Sequence, residues 1–167
     1  MGISAFLSPS DTLIDMRAAD KVRLLQELSR RAAASLDLPP ERIAAEIFKR
    51  EELGSTGTGG GVAIPHARIQ GLNKSFGILA RLNRAIDFAA IDGRPVDLVF
   101  LLLLPANPLG EQLKALASVA RKFRDPACLR DLRAARTSGS LYDNDRVARR
   151  LQTCERLEVN RYIPPRI

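Results

Sequence analysis

His66 is the only histidine in this 167-residue sequence, and its surroundings favour chemistry on a phosphoryl group. A single histidine excludes a metal cage built on several imidazoles and any mechanism that needs a pair of them. A neutral imidazole, whose ordinary pKa is about 6.5, is nucleophilic at neutral pH without a strong base. Arg50 lies sixteen residues earlier and supplies a planar guanidinium suited to phosphate oxygens. Together these residues predict that His66 accepts a phosphoryl group and passes it on.

A glycine-rich run stands just before His66. Because glycine weakens the interior of helices and strands, the run predicts a shaped loop whose backbone N–H groups surround an anion. The predicted phosphate-binding loop consists of Gly54, Ser55, Thr56, Gly57, Thr58, Gly59, Gly60 and Gly61. No Lys-Ser or Lys-Thr pair directly follows the glycines, and the preceding segment has a helical pattern. These two features exclude a P-loop and a dinucleotide-binding turn.

Two amphipathic helices are predicted before the glycine run. Apolar residues at steps of three and four predict the first over residues 20–36, with Asp20 as its N-cap. Pro40 suits the first turn of the second helix, which is predicted to end near Glu52. This second helix would carry Arg50 in its C-terminal turn.

Extended segments are predicted on either side of the histidine. Residues 62–64 predict a short strand, and Pro65 disfavours helical dihedrals at the residue before it, so that His66 follows an extended piece of chain. The nearly continuous apolar run over residues 96–104, ended by Pro105, predicts a central strand that is covered on both faces.

The other elements follow from turn residues and apolar periodicity. They are strands over residues 75–82 and 85–89, joined by a hairpin at Asn83 and Arg84, and helices over residues 109–123, 126–136 and 140–151. Because the central strand needs cover on both faces, the predicted fold class is α/β, a single domain with a central β-sheet flanked by helices on both faces.

Composition and charge exclude several classes of protein. The formal net charge is +7, but 12 of the Lys and Arg residues and 6 of the Asp and Glu residues lie from Arg121 onward, which leaves +1 for the first 120 residues. No nucleic-acid-binding motif accompanies this charge, so we expect no specific nucleic-acid partner. The apolar run that contains Val99–Leu104 is far shorter than the roughly 20 residues of a membrane span. Cys128 and Cys154 form no CxxC pair, which predicts reduced thiols, a cytoplasmic location, no metal site and no cofactor.

The segment GSTGTGGGVAIPHAR resembles the active-site segment of the mannitol/fructose-type enzyme IIA family of the phosphotransferase system, especially its nitrogen-regulatory branch. The family signature has an acidic or amide residue, here Glu51, followed by Gly59, Val62-Ala63-Ile64 and Pro65-His66-Ala67. The similarity extends from about Leu7 to Arg136. It implies the family's fold, with a central mixed β-sheet, over residues 1–142, and leaves residues 143–167 as an atypical basic tail.

The resemblance also implies residue roles and partners. His66 is the phosphoryl acceptor and Arg50 borders the site, whereas Gln112 stands where many members have a second active-site histidine. Where the signature usually has an aliphatic residue, this sequence has Thr58. The implied phosphoryl donor is a small histidine-phosphorylated carrier similar to HPr. The implied targets of regulation are potassium-transport proteins, sensor kinases or metabolic enzymes.

Two alternatives remain open at this point. A sugar-specific IIA component would pass the phosphoryl group to a permease B domain, and a binding-only regulatory module would no longer turn over because Gln112 replaces the second histidine. A hydrolase or metalloenzyme is the least favoured reading, because the sequence has no paired carboxylates or metal-ligand cluster near His66.

Overall fold

The computed structural model describes residues 3–106 and 110–142. Within these ranges a 3₁₀ helix at Ile3–Ala5 precedes six strands and five α-helices. The strands are β1 (Leu7–Met16), β2 (Gly57–Gly59), β3 (Val62–Ala63), β4 (His66–Ile69), β5 (Phe76–Ile86) and β6 (Val96–Pro105). The helices are α1 (Lys21–Leu36), α2 (Pro40–Glu52), α3 (Glu111–Lys122), α4 (Pro126–Ala134) and α5 (Ser138–Tyr142).

The six strands form one mixed sheet in the order β1-β5-β6-β3-β2, and β4 also pairs with β6. Strands β3 and β4 run parallel to β6, β5 runs antiparallel to it, and β1 is parallel to β5. Strands β3 and β4 pair with successive parts of β6, and Ile64 and Pro65 connect the two strands. His66 is the first residue of β4 and lies opposite Leu102 of β6. The predicted central strand is therefore confirmed, and it sets the position of the histidine.

Helices cover both faces of the sheet, as predicted. One core joins the sheet to α1 and α2, and the other joins it to α3, α4 and α5. Strand β6 supplies alternating side chains to the two cores, with Val99 and Leu101 on the first face and Phe100 and Leu102 on the second. All four are almost completely buried, which explains why residues 98–104 of β6 are all apolar.

The two helices before the glycine run match their predicted bounds. Asp20 caps α1, and its carboxylate accepts a hydrogen bond from the backbone N–H of Arg23. Pro40 opens α2, where its missing N–H group costs no helical hydrogen bond. The last turn of α2 carries Lys49 and Arg50. Arg50 therefore lies on one face of the sheet and contacts His66 at the start of β4.

One predicted hairpin is wrong. Residues 76–86 form the single strand β5, with no turn at Asn83 and Arg84. The pairing of β5 with β6 shifts register between Arg81 and Ile86, and residues 83–85 are exposed on this irregular stretch. Their polar character reflects exposure on a bulged strand rather than a turn.

Three strands were not expected, and one of them is β4, which begins at His66 itself. The edge strand β1 contains Pro9 and several polar residues, and it is interrupted by register shifts, so that its alternation of polar and apolar residues is broken. Part of the predicted loop, Gly57–Gly59, forms β2 and pairs with β3. Position 57 needs a glycine, because a Cβ atom there would lie 2.8 Å from both the Cα and the Cβ atoms of Ala90.

The C-terminal elements agree in part. Helices α3 and α4 fall within their predicted ranges, whereas α5 begins at Ser138 and is described as far as Tyr142. Residues 143–167, which include Cys154 and the predicted basic tail, lie outside the described residues. The division of the chain at residue 142 stays a prediction.

Candidate functional site

His66 begins strand β4, and the chain around it fixes the orientation of its ring. The Pro65 carbonyl accepts a hydrogen bond from the Leu102 N–H at 2.9 Å, and the Ile64 N–H donates to the Thr56 carbonyl at 2.9 Å. The Nδ1 atom of His66 lies 2.8 Å from the Ile64 carbonyl oxygen. Because a carbonyl only accepts, Nδ1 carries the proton and donates it in this contact. The neutral ring therefore has its lone pair on Nε2.

Arg50 faces that lone pair. Its Nε–H donates to His66 Nε2 across 3.1 Å, and its Nη1 donates to the Gly54 carbonyl at 3.0 Å. The second bond anchors the guanidinium to the chain just after α2, so the group is held in place before any ligand arrives. The sequence-predicted pair thus meets at the atom of His66 that is able to act as a nucleophile.

The pKa of His66 lies below its ordinary value. Burial, which penalises the charged imidazolium, is the largest cause, and the positive charge of Arg50 adds to it. The Ile64 carbonyl and the charge of Glu51 oppose this shift without reversing it. The ring is therefore neutral at neutral pH, which is the form that has a free electron pair for nucleophilic attack.

This shift gives a direct prediction for an NMR titration. Because the chain has a single histidine, one imidazole resonance reports the pKa, and we expect a midpoint below the value of about 6.5 found in unfolded peptides. The unfolded state then binds the proton more tightly. His66 contributes stability above the unfolded pKa, and this contribution is lost as the pH falls through the lower pKa of the folded state. A midpoint at or above the ordinary value would contradict the geometry.

Glu51 holds the start of the glycine run in place through hydrogen bonds to Thr56. Its carboxylate accepts hydrogen bonds from the N–H of Thr56 at 2.9 Å and from the Thr56 hydroxyl at 2.6 Å. Lys21 forms an ion pair with it at 2.6 Å, donates to the Phe88 carbonyl and lies over the Phe88 ring. Burial raises the pKa of Glu51, but the hydrogen bonds from Lys21 and Thr56 outweigh it and lower the pKa overall. The ionised carboxylate thus joins α1, α2 and the loop.

Glu51→Gln is expected to destabilise the fold by about 2 kcal/mol, because the amide cannot pair with the Lys21 ammonium and satisfies only part of the Thr56 contacts. Chemical denaturation of the purified variant measures the change. Glu52→Gln is the matched control, since Glu52 is the next residue along α2 and is exposed. Equal stability of the two variants would show that the Glu51 network contributes nothing.

The open side of His66 is a cavity of about 380 Å³. It lies between the end of α2, strand β4 and the start of α3. Its wall is formed by Glu46, Lys49, Arg50, Leu53, His66, Ala67, Arg68, Leu104, Gln112, Leu113 and Leu116. All three predicted side-chain positions, Arg50, His66 and Gln112, therefore come together at one cavity.

Gln112 lines the cavity from the first turn of α3. It is almost completely buried, and its Nε2 donates to the Pro105 carbonyl at 2.6 Å. Two leucines beside the cavity, Leu53 and Leu113, are more than 70% exposed at 83% and 75%. A cavity whose rim carries exposed leucines is suited to closure by an approaching protein surface.

The predicted phosphate loop occupies a different place. None of residues 54–61 lines the cavity around His66, and the role of this run in phosphate binding stays a prediction. The hydroxyls of Ser55, Thr56 and Thr58 bond to other parts of the fold, namely the Phe88 carbonyl, the Glu51 carboxylate and the Val62 carbonyl. Only the Gly54 carbonyl touches the site directly, through Arg50.

The glycines at the far end of the run make the turn between β2 and β3. Gly59, Gly60 and Gly61 have positive φ angles of 93°, 65° and 80°. Arg133 clasps this turn: it forms a two-pronged contact with Asp97 at 2.7 and 2.8 Å and donates to the Gly60 carbonyl at 2.7 Å. These glycines allow the tight turn of the β2–β3 hairpin, in which β2 pairs with β3 just before His66.

Several residues of the site were not identified from the sequence. Lys21 is thirty residues from its partner Glu51, and no local pattern connects them. Arg68 could have been identified from the sequence, because it lies two positions after His66 in a strand and therefore on the same face. It lines the same cavity and is exposed.

Two absences hold for residues 3–106 and 110–142. No group of three or more His, Cys, Asp or Glu side chains in these ranges is placed to hold a metal ion. None of the helices there is long and apolar enough to cross a membrane.

Comparisons with known proteins show relatives of similar sequence and fold. A nitrogen regulatory protein of Bradyrhizobium diazoefficiens is 42% identical over 142 residues, which cover 85% of this chain and 93% of that protein. The crystal structure of the nitrogen regulatory protein IIA-Ntr from Neisseria meningitidis superposes with a TM-score of 0.79 at 35% identity, covering 83% and 95% of the two chains. The mannitol IIA structure from Escherichia coli has the same fold, with a TM-score of 0.69 at 16% identity over 82% of this chain and 96% of that one.

These matches confirm the resemblance inferred from the sequence and the predicted fold class. The model of one protein family matches residues 5–144 of this chain, a span that includes every element of the sheet and both walls of the His66 cavity. On that match, the chain belongs to the EIIA 2 family of the phosphoenolpyruvate-dependent sugar phosphotransferase system.

Proposed function

We propose that His66 accepts a phosphoryl group on Nε2 from a histidine-phosphorylated carrier similar to HPr, and that the phosphorylation state of this residue regulates partner proteins. The observation that carries the proposal is the pair of contacts on the ring. Nδ1 donates to the Ile64 carbonyl, which leaves the Nε2 lone pair at an open cavity with Arg50 beside it.

The transfer follows from those contacts. The Nε2 lone pair attacks the phosphorus of the donor phosphohistidine, a new P–N bond forms, and the electron pair of the old P–N bond returns to the donor imidazole. The proton on Nδ1 stays in place, and the Ile64 carbonyl stabilises the positive charge that the ring gains. Arg50 must release Nε2 during this step, and its guanidinium is then free to bind a phosphoryl oxygen.

Charges around the cavity favour the phosphorylated state. Lys49, Arg50 and Arg68 line it together with a single carboxylate, that of Glu46. Cations near a phosphoryl group stabilise its negative charge, and Arg68 follows His66 on the same face of β4. We infer that these side chains take over the role that a charged second histidine would otherwise have, because Gln112 provides hydrogen bonds but no charge.

Gln112→His is expected to lengthen the lifetime of the phosphohistidine several-fold, equivalent to on the order of 1 kcal/mol, because an imidazolium adds a charge-assisted hydrogen bond. The decay of isolated phosphoprotein at neutral pH measures the effect. Gln112→Asn, which keeps the amide but shortens it, is the control. A lifetime that is unchanged in the histidine variant would place position 112 out of reach of the phosphoryl group.

The curated relatives support a regulatory role over a sugar-specific one. Relatives that match 84–85% of this chain are named nitrogen regulatory proteins, whereas a relative named as a fructose-specific EIIA component matches only 46% of this chain. We therefore propose a cytoplasmic regulatory protein whose targets include potassium-transport proteins, sensor kinases or metabolic enzymes. Any role of residues 54–61 in phosphate binding is limited, in this proposal, to holding Arg50 and β3 in place.

Incubation with the phosphorylated carrier tests the proposal. Wild-type protein should gain one phosphoryl group and His66→Ala none, with circular dichroism showing that the variant is folded. A pull-down under phosphorylating and non-phosphorylating conditions should recover different partners for wild type and the same partners for His66→Ala. Absence of label on wild type would contradict phosphoryl acceptance. Rapid transfer to a permease B domain would favour the sugar-specific alternative instead.

A further inference from the structure

A second concave site lies at the edge of the sheet, on different elements from the His66 cavity. It has a volume of about 620 Å³ and is formed by residues 13–19 at the end of β1 and just after it, by the exposed side of α1, and by Ser138 of α5. None of its lining residues lines the His66 cavity. Volumes of this size are typical of sites that hold small organic molecules.

Four arginines and two carboxylates line this groove, and the carboxylates are already engaged. Glu27 is shared between Arg30 at 2.7 Å and Arg31 at 2.9 Å. Asp15 is 3.3 Å from Arg81, a residue outside the groove whose guanidinium also bonds to backbone carbonyls at the end of α4. The two carboxylates balance only part of the charge of the four arginines, so the groove keeps a net positive charge. A concave surface strengthens the resulting attraction for an anion.

The other two arginines are the most informative. Arg17 and Arg23 both line the groove, and within residues 3–106 and 110–142 neither side chain makes an ion pair or a hydrogen bond. Like charges repel one another, so a cluster of guanidiniums is favourable only when anionic groups balance it. Two unpaired planar guanidiniums in one groove offer two-pronged contacts to two anionic groups.

The backbone of this wall is also unusual. Asp15 has a φ angle of 53°, a left-handed conformation that a residue with a side chain adopts at a cost. The strain coincides with the second register shift of β1, between Leu13 and Met16. Strained backbone is often kept where it shapes a site, and here it turns the chain into the groove wall that leads to Arg17.

From these observations we propose that the groove binds a small organic molecule carrying two phosphate groups, of about the size of a nucleoside diphosphate. The concave shape favours a small molecule over an acidic protein segment, and the guanidinium forks favour phosphate. One wall of the groove is the first turns of α1, the helix whose Lys21 contacts Glu51 behind the His66 site. A molecule bound in the groove would therefore contact the same helix that supports the phosphoryl site through Lys21.

Isothermal titration calorimetry at about 0.15 M salt tests the proposal, because distant surface charges are screened under those conditions. The probes are ADP and inorganic pyrophosphate, with an acidic peptide as the competing class of ligand. We expect saturable binding of one ADP per chain, and a loss of affinity of about tenfold in Arg17→Gln and in Arg23→Gln, which keep the polar character of the side chain without its charge. Arg124→Gln, at an exposed arginine outside the groove, should bind as wild type does.

His66→Ala separates this site from the phosphoryl site. ADP should bind to it with wild-type affinity, whatever the outcome of the phosphorylation experiment. No saturable binding of ADP or pyrophosphate, or wild-type affinity for ADP in both Arg17→Gln and Arg23→Gln, would overturn the proposal. Binding of the acidic peptide alone would overturn it too and would identify the groove as a surface for a protein partner.

Discussion

Replacing Arg50 with glutamine is expected to lower the rate at which His66 accepts a phosphoryl group by on the order of 10²- to 10³-fold, the usual cost of removing one preorganised donor from a site where charge develops. The guanidinium lies 3.1 Å from the attacking nitrogen and is anchored to the Gly54 carbonyl. A glutamine amide keeps a hydrogen-bond donor but neither the charge nor the anchor. Stopped-flow transfer from the phosphorylated carrier measures the rate.

The same variant makes an independent prediction about the imidazole. Because the charge of Arg50 lowers the pKa of His66, Arg50→Gln should raise that pKa toward its ordinary value. Arg42→Gln is the matched control, since Arg42 lies on the same helix and donates to the Gln70 carbonyl instead. Wild-type transfer rates in Arg50→Gln, or an equal loss of rate in Arg42→Gln, would remove Arg50 from the phosphoryl site.

Gly61→Ala is expected to destabilise the protein by about 3 kcal/mol, from a backbone held at positive φ and from a steric clash. A Cβ atom at this position would lie 2.5 Å from Arg133 Nη2 and 2.8 Å from Asp97 Oδ1. Both atoms are the ends of flexible side chains, but they can move aside only by breaking the ion pair and the hydrogen bond that hold the β2–β3 turn. Thermal and chemical denaturation measure the loss of stability.

Gly60→Ala provides the matched control, because Gly60 also has a positive φ but has open space where its Cβ atom would project. It should cost only the backbone term, about 1 kcal/mol. The difference between the two variants isolates the clash with the Arg133–Asp97 clasp. If the two alanine variants were equally stable, the clasp would be too loose to hold β3 in register.

Much of the fold was predictable because it depends on local physics. The N-cap of α1, the proline that opens α2 and the apolar run of β6 all act within a few residues of themselves. The hairpin predicted at Asn83 failed because polar residues on a bulged strand look like a turn when the partner strand is unknown. Strand β1 was missed for the same reason, since its polar residues suit an edge position that only the assembled sheet reveals.

The site was predictable in its centre and not in its surroundings. His66 and Arg50 could be paired from their types and spacing, and the structure joins them by a hydrogen bond. The composition of the glycine run predicts a phosphate-binding loop, but it does not predict the β2–β3 hairpin that Asp97 and Arg133 brace at the far end of the run. The support from Lys21 requires that α1 and α2 pack side by side, which is information that no single segment contains.

The most direct test of the proposed function is the identity of the nitrogen that carries the phosphoryl group. After isotope-labelled protein has reacted with the phosphorylated carrier, phosphorus–nitrogen coupling in NMR spectra identifies the phosphorylated atom. The contacts of Nδ1 with the Ile64 carbonyl and of Nε2 with Arg50 predict coupling to His66 Nε2, with the Nδ1 proton retained. Coupling to Nδ1, or a phosphoryl group on any residue other than His66, would contradict the proposed chemistry.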